Sequence, residues 1–154
     1  MKKTNENNQD LIIIKFGGDV ITDKKIPMSI NKKLIRDLVS QIKEFKLKSR
    51  THLIIVHGGG SFGHPIAEKY KINQGLLKEN SNFRKGLLKT HQAMLKLNSL
   101  IIEEFTAQNI PVMPLSPLSQ FYIDKNELIF TGSPQIEILL RMNIIPILYG
   151  DILL

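Results

Sequence analysis

At 154 residues, with 42% hydrophobic and 23% charged residues, the chain has the composition of an ordinary globular domain with a core of its own. The formal charge is +7 at pH 7, but the lysines are spread over many segments and few aromatic residues accompany them, which argues against a nucleic-acid interface. Without cysteine there are no disulfides and no thiolate zinc sites, and no apolar run reaches the roughly 20 residues of a membrane-spanning helix.

The N-terminal residues are polar and have no apolar segment of the kind found in signal peptides. We therefore expect residues 1–10 to form a disordered tail and the protein to be cytoplasmic. Residues 11–154 are expected to form one domain, because no linker or internal repeat divides them.

The first half of this domain has the pattern of a strand–helix–strand unit. Residues 11–16 and 53–57 are rich in Ile, Leu and Val without polar alternation, which predicts strands buried on both faces. Residues 31–46 place their apolar side chains on one helical stripe. Such a unit predicts parallel strands joined by a right-handed crossover.

The second half predicts a further series of helices and strands. A helix is expected to begin near Pro65, and a longer one covers residues 82–108. The remaining predictions are a short strand at 111–115, a hairpin of 121–123 and 127–130, a helix over 134–142 capped by Ser133, and a buried strand at 144–149. The predicted fold class is α/β, a three-layer αβα sandwich with a mainly parallel sheet. Because an apolar end follows Gly150-Asp151, we expect the chain to be the first half of a larger unit, with its C-terminal half missing.

Two glycine turns directly follow buried strands. Gly17-Gly18 comes after the first strand, and Gly58-Gly59-Gly60 comes after the second. Loops without side chains let backbone N–H groups approach an anion closely, most often a phosphate. Two such turns in one small domain predict two phosphate groups held side by side, which is the geometry of phosphoryl transfer.

Three basic residues near these turns are candidates for chemistry. Lys15, at the end of the first strand, is placed to neutralise phosphate charge, although a lysine at a strand end also reaches solvent without any function. Lys24 lies within reach of the same site, with Asp23 able to orient it. His64 can donate a hydrogen bond to a phosphate or simply cap the next helix, whereas His57 is interpreted as structural.

Other chemistries are not supported by the motifs. Neither glycine turn continues into Gly-Lys-Ser/Thr, and neither has the spacing Gly-x-Gly-x-x-Gly of nicotinamide-binding loops. The triple glycine is similar to the oxyanion loop of some esterases, but the chain has no Gly-x-Ser-x-Gly elbow. The four histidines contain no close pair, so no metal site is expected.

Together these motifs resemble one family. Lys15-Phe16-Gly17-Gly18 followed by Val20-Ile21-Thr22-Asp23-Lys24 resembles the opening of the amino acid kinase superfamily. The run from His57 to His64 is similar to the signature of its isopentenyl phosphate kinase branch, as are residues 146–151 and Gly86, His91 and Asn98. The resemblance covers the chain from Leu11 onward.

The resemblance implies an ATP-dependent kinase that converts isopentenyl phosphate into isopentenyl diphosphate in the alternative mevalonate route. Because members of this family continue beyond this length into a part that carries much of the ATP site, the 154-residue chain is expected to be a fragment with impaired activity alone. It further implies Mg²⁺ with the ATP, a homodimer, no nucleic-acid or membrane partner, and residues 11–154 as the part that binds the phosphate acceptor. Lys24, Lys15 and His64 would be catalytic. The residues implied to bind ATP are Lys15, Phe16, Gly17, Gly18, Asp19 and Gly60. Those implied to hold the substrate phosphate are Gly59, His64 and Gly150, and the prenyl tail would lie against the helix at residues 83–105.

Asp19 stands where this family usually has serine, and its carboxylate adds negative charge beside the ATP phosphates unless Mg²⁺ or a lysine neutralises it. Two other functions remain open. One is a non-catalytic module for phosphate binding or oligomerisation. The other is a kinase of the same fold that acts on another small phosphate or carboxylate.

Overall fold

The computed structural model of the chain describes residues 10–23, 25–72, 81–125 and 127–153. The predicted disordered tail, apart from Asp10, and the predicted catalytic residue Lys24 lie outside these described residues. Within them, no helix is long and apolar enough to cross a membrane.

The described residues form six strands and six helices, which are interspersed along the chain. The strands are β1 (Leu11–Phe16), β2 (His52–His57), β3 (Val112–Pro114), β4 (Phe121–Asp124), β5 (Glu127–Phe130) and β6 (Ile145–Tyr149). The helices are α1 (Gly18–Ile21), α2 (Lys32–Lys48), α3 (Gly60–Lys69), α4 (Ser81–Ala107), α5 (Pro117–Gln120) and α6 (Ser133–Arg141). The short helices α1 and α5 have no counterpart in the sequence-based expectation.

The main sheet is parallel throughout its described strands and has the order β1-β2-β6-β3. Leu11 pairs with His52 at one end of the sheet and Phe16 with His57 at the other, so β1 and β2 end together at their glycine turns. β4 and β5 form a separate antiparallel hairpin. The predicted α/β class with a mainly parallel sheet is thereby confirmed.

The direction of the crossovers produces three layers. The chain moves across the sheet in one direction from β1 through β2 to β3, and then returns to place β6 between β2 and β3. Because such crossovers are right-handed, α2 and α4 lie on one face and α6 on the other. The core fills the first face and unites Ile35 and Val39 of α2, Ile55 of β2 and Leu97 and Ile101 of α4.

The prediction that β1 is buried on both faces is wrong. Leu11 is 50% and Ile13 62% exposed, whereas Phe16 is 3% exposed and stacks on Phe105. Side chains alternate along a strand, and β1 is the edge strand, so one of its faces packs on the core while the other is left open. β2, which lies between two strands, has the predicted burial.

Two predicted helix starts also differ from the structure. α3 begins at Gly60, not near Pro65, so Pro65 lies within the helix. Because Pro65 has no N–H, the carbonyl of Ser61 has no hydrogen-bond partner within the helix. It accepts a hydrogen bond from the N–H of Met28 instead, at 3.1 Å. Ser133 is the first residue of α6 and does not cap it, because Gly132 occupies the N-cap position.

Candidate functional site

The two glycine turns lie in direct backbone contact. A Cβ placed on Gly18 would overlap the backbone nitrogen of Gly60 and lie 2.8 Å from its Cα. Gly60 has a φ of +46°, and a Cβ there would overlap the Thr22 hydroxyl. Side chains at Gly18 or Gly60 are therefore excluded by space, and at Gly60 also by conformation. The turns after β1 and β2 thus form one continuous backbone surface.

Two buried hydroxyl groups join this surface to the segment between α1 and α2. Thr22 donates to the carbonyl of Gly18 at 2.7 Å and accepts the N–H of Ser61 at 2.9 Å. Ser61 in turn donates from its hydroxyl to the carbonyl of Ser29 at 3.1 Å. Because Thr22 and Ser61 are each 4% exposed, these hydrogen bonds are shielded from water and hold the first turn against the second.

A large cavity of about 680 Å³ adjoins the second glycine turn. Its polar end is formed by Gly59, Gly63 and His64 from the start of α3, with Gly150 and Asp151 after β6. The rest of its wall is mainly apolar, with Thr90 as the one polar residue: Ala67, Ile72, Phe83, Leu87, Thr90, Met94, Ile123, Ile152 and Leu153. A cavity of this shape suits a ligand with a polar head and an apolar tail.

The three residues expected to hold the substrate phosphate therefore line one cavity. Gly59 allows the chain to approach Met94, since a Cβ on Gly59 would lie 3.0 Å from the Met94 sulfur. His64 is exposed at the cavity's polar end. The N–H of Gly150 donates to the carbonyl of His57 at 2.9 Å, so Gly150 offers a ligand close approach to the backbone and not a free amide.

His57 has the structural position expected of it. Its ring is 1% exposed, stacks on Tyr149 at 5.5 Å between centroids, and lies 3.2 Å from the Asn98 side-chain oxygen through Nε2. Burial lowers the pKa of His57, although hydrogen bonds to the Gly58 carbonyl and the Asn98 side-chain oxygen oppose the shift. Burial also raises the pKa of Tyr149, an effect to which the charge of Asp151 contributes.

His91 and Asp151 form a pair that the sequence did not single out. The Nδ1 atom of His91 on α4 lies 2.7 Å from Oδ2 of Asp151, and the Asp151 side chain is fully buried. The other carboxylate oxygen accepts the N–H of Ile152 at 2.8 Å. This pair ties the segment after β6 to the helix that lines the cavity.

The residues expected to bind ATP are divided between two positions. Gly17, Gly18 and Gly60 belong to the paired turns, and the exposed Lys15 precedes them at the end of β1. The Phe16 side chain lies in the core, so any contact of this residue with a phosphate would come from its backbone. Asp19 is exposed and lines a polar depression of about 560 Å³ together with Asp23 and Lys25. Lys15 is not among the residues that line the large apolar cavity.

The described residues contain no group of three or more His, Asp or Glu side chains that could hold a metal ion. The site offers backbone groups, His64 and lysines, which favour an anion, beside an apolar cavity. Such a site can bind and position a phosphate ester.

Sequence reasoning missed Thr22, Ser61 and Asp151 as parts of this site. Thr22 and Ser61 are 39 residues apart and His91 and Asp151 are 60 apart, and each pair meets only after the strands have assembled. A Gly-Asp turn after a buried strand was the available signal for Asp151.

Comparison with known proteins places these features in context. The profile of the amino acid kinase family matches residues 10–154. The chain is 37% identical over 150 residues to isopentenyl phosphate kinase of Methanocaldococcus jannaschii, covering 94% of this chain and 56% of that protein. It is 33% identical over 147 residues to isopentenyl phosphate kinase of Methanothermobacter thermautotrophicus, covering 94% and 54%.

Solved structures give the same result. An X-ray structure of isopentenyl phosphate kinase superposes with a TM-score of 0.81 at 33% identity, over 94% of this chain and 59% of the other. The product complex of Thermoplasma acidophilum isopentenyl phosphate kinase superposes with a TM-score of 0.77 at 26% identity, over 95% and 57%. The chain thus spans slightly more than half the length of the relatives it matches.

Proposed function

The chain belongs to the amino acid kinase family, and we propose that the protein transfers a phosphoryl group from ATP to isopentenyl phosphate, forming isopentenyl diphosphate for isoprenoid synthesis. The observation that carries this proposal is the backbone contact between the Gly17-Gly18 turn and the Gly58–Gly60 loop, beside an apolar cavity with a polar end. The similarity to proteins named isopentenyl phosphate kinase supports the choice of substrate.

On the acceptor side, Gly59 and His64 hold the substrate phosphate and Gly150 lets it approach the backbone. The exposed imidazole of His64 donates a hydrogen bond to a phosphate oxygen, and a nearby dianion favours its protonated form. The apolar wall formed by Phe83, Leu87 and their neighbours receives the prenyl tail.

On the donor side, Lys15 and the backbone of Gly17, Gly18 and Gly60 bind the ATP phosphates, with Phe16 contributing its main chain and Asp19 flanking the turn. Lys24 stabilises the charge that develops during transfer. Mg²⁺ would accompany ATP and would be held mainly by its phosphates, as this ion usually is in kinases. Its positive charge would also offset the negative charge of the Asp19 carboxylate.

The two sides meet at Gly59 and Gly60, which are consecutive residues. The same short loop can therefore hold both phosphates, so that an oxygen of the substrate phosphate lies next to the terminal phosphorus of ATP. The new P–O bond forms as the bond to ADP breaks, and the protein contributes positioning and charge neutralisation.

The wider setting is also part of the proposal. We place the protein in the cytoplasm as a homodimer whose partners are small molecules, with no nucleic-acid or membrane partner. The basic charge of +7 then serves to attract anionic substrates.

The direct test is an assay of phosphoryl transfer with ATP, Mg²⁺ and three acceptors in parallel: isopentenyl phosphate, acetylglutamate and fosfomycin. We expect isopentenyl diphosphate, identified by its two coupled phosphorus resonances, and no transfer to the other two acceptors. Lys24→Ala should lower turnover more than about tenfold because one charge is lost at the transition state. Lys32→Ala, an exposed lysine on α2, serves as the matched control.

Each other outcome has a clear meaning. A preference for acetylglutamate or fosfomycin would replace the proposed substrate. Binding of isopentenyl phosphate without any transfer would favour a non-catalytic phosphate-binding module. Near-normal turnover of Lys24→Ala would remove this lysine from the mechanism.

A further inference from the structure

The segment that follows β6 forms a wall between two apolar spaces. Gly150, Asp151 and Leu153 line both the large cavity of about 680 Å³ and a neighbouring groove of about 370 Å³. The groove is bounded on its other side by the sheet and the hairpin, through Val56, Pro117, Phe121, Leu128, Leu148 and Tyr149. The position of this wall therefore sets the room available in the cavity.

The wall lies beyond the last sheet pairing of β6, so its position depends on a few hydrogen bonds. The N–H of Gly150 donates to the His57 carbonyl at 2.9 Å, which holds the beginning of the segment. One carboxylate oxygen of Asp151 then accepts the N–H of Ile152, and the other faces Nδ1 of His91 on α4 at 2.7 Å. The Asp151 side chain is thus tied at once to its own backbone and to the opposite wall of the cavity.

Burial makes this tie energetically important. The Asp151 side chain is fully buried, while that of His91 is 25% exposed. A buried carboxylate that loses its partner costs far more than an exposed one, because water cannot replace the lost hydrogen bond. Without His91, the Asp151 carboxylate would lose its hydrogen bond to α4, and only its bond to the Ile152 N–H would remain to hold the segment.

We propose that His91 is a positioning residue which, through Asp151, fixes the wall at residues 150–153 and so determines the length of carbon chain that the cavity accepts. The proposal rests on the function proposed above, since it takes the ligand to be a prenyl monophosphate. His91 does not touch the ligand: it is not among the residues that line the cavity. Loss of His91 should therefore weaken the binding of the ligand's carbon chain and leave the binding of its phosphate unchanged.

The test compares three ligands that share a phosphate and differ in chain length: methyl phosphate, isopentenyl phosphate and the ten-carbon geranyl phosphate. Calorimetric titration of the 154-residue chain gives the dissociation constants. In His91→Ala we expect affinity for isopentenyl phosphate to fall about five- to tenfold, the equivalent of one lost hydrogen bond. Affinity for methyl phosphate should change less than about twofold. The ratio of the affinities for isopentenyl and geranyl phosphate should fall by about the same factor as the affinity for isopentenyl phosphate.

Rescue separates positioning from a general loss of structure. His91→Asn places an amide nitrogen near the position of Nδ1 and should restore both affinity and chain-length preference. Gln92→Ala, an exposed neighbour on α4, should match the wild type, and thermal unfolding of each variant confirms that it folds.

Equal losses for all three ligands, or unchanged affinities in His91→Ala, would overturn the inference while leaving the proposed function intact. If the wild type binds neither isopentenyl nor geranyl phosphate, the proposed function fails, and this inference fails with it.

Discussion

At the scale of single residues, the site depends on positions that have no room for a side chain. Gly18 and Gly60 touch through their backbones, so the distance between the two turns is set by van der Waals contact. Thr22 and Ser61 then hold this contact with hydrogen bonds. Close packing of this kind responds sharply to one added methyl group.

The first prediction concerns the two glycines of the first turn. Gly18→Ala should lower the free energy of unfolding by about 1–3 kcal/mol, since the new Cβ would overlap the backbone of Gly60. Gly17→Ala is the matched control: its Cβ would lie 3.5 Å from Val20, an ordinary contact, and stability should change by less than about 0.5 kcal/mol. Urea unfolding measures both, and equal effects would contradict the packing described here.

The second prediction concerns pH. Burial lowers the pKa of His57 below its ordinary value of 6.5, so between these two pKa values the unfolded chain binds the proton more readily than the folded one. Stability from this group is therefore complete above pH 6.5 and is lost as pH falls from 6.5 through the folded pKa.

His57→Gln should accordingly show a smaller loss of unfolding free energy than the wild type between pH 7.5 and roughly pH 5.5. Urea unfolding across this range provides the measurement. Gln41→Ala, at an exposed position of α2 without a titratable group, is the control and should keep the wild-type slope. A His57 variant with an unaltered pH dependence would show that other groups cause it.

At the scale of elements, α4 carries much of the site because it packs in two directions. Toward α3 and the segment after β6 it lines the cavity with Leu87 and Met94. Toward α2, the Glu104 carboxylate of α4 lies 3.2 Å from the Arg36 side chain. Gln108, just beyond the end of α4, also forms hydrogen bonds with Ser40 and Arg36 of α2. A helix fixed on both sides can hold the cavity wall in place.

We predict that Gln108 contributes measurably to this second contact. Its side chain accepts from the Ser40 hydroxyl at 3.0 Å and donates to the Arg36 carbonyl at 3.0 Å. Gln108→Ala should therefore lower the free energy of unfolding by about 1 kcal/mol, since both bonds are partly exposed. Glu103→Ala, on the exposed side of α4, should have little effect in the same thermal or urea unfolding experiment.

At the scale of the whole molecule, one face of the sheet is only partly covered. Ile13 is 62% exposed on β1, and Tyr122, Ile123 and Leu128 of the hairpin are 48%, 52% and 60% exposed. Val56 and Leu148 of the sheet line a groove together with Leu128 of the hairpin. Exposed apolar side chains of this number promote association between protein molecules.

We therefore expect the 154-residue chain to self-associate in a concentration-dependent manner through this face. Ile13→Lys should weaken the association, as measured by sedimentation velocity at several protein concentrations, because it places a charge in the apolar surface. Leu47→Lys is the matched control, since Leu47 is 78% exposed on α2, away from this face. Equal effects of the two substitutions would argue against the sheet face as the contact surface.

The local pattern of the chain determined the fold class, most of the helices and strands, and the two glycine turns. Strands of branched apolar residues, a helical stripe between them and glycines at the strand ends are short-range features that can be read from neighbouring residues. The assignment of Gly59, His64 and Gly150 to the substrate phosphate came from the resemblance to the amino acid kinase family and not from these local features. The structure places all three around one cavity, since parallel strands end at one edge of a sheet.

The tertiary structure alone decided which of these features meet. The insertion of β6 between β2 and β3, the open face of β1, and the pairs Thr22–Ser61 and His91–Asp151 depend on residues far apart in the chain. Local propensity carries no information about such contacts, since each partner has an ordinary sequence environment. They form because burying the sheet on α2 and α4 removes polar side chains from water, which favours hydrogen bonds to partners across the fold. The buried side-chain oxygens of Thr90 and Gln120 have no such partner among the described residues.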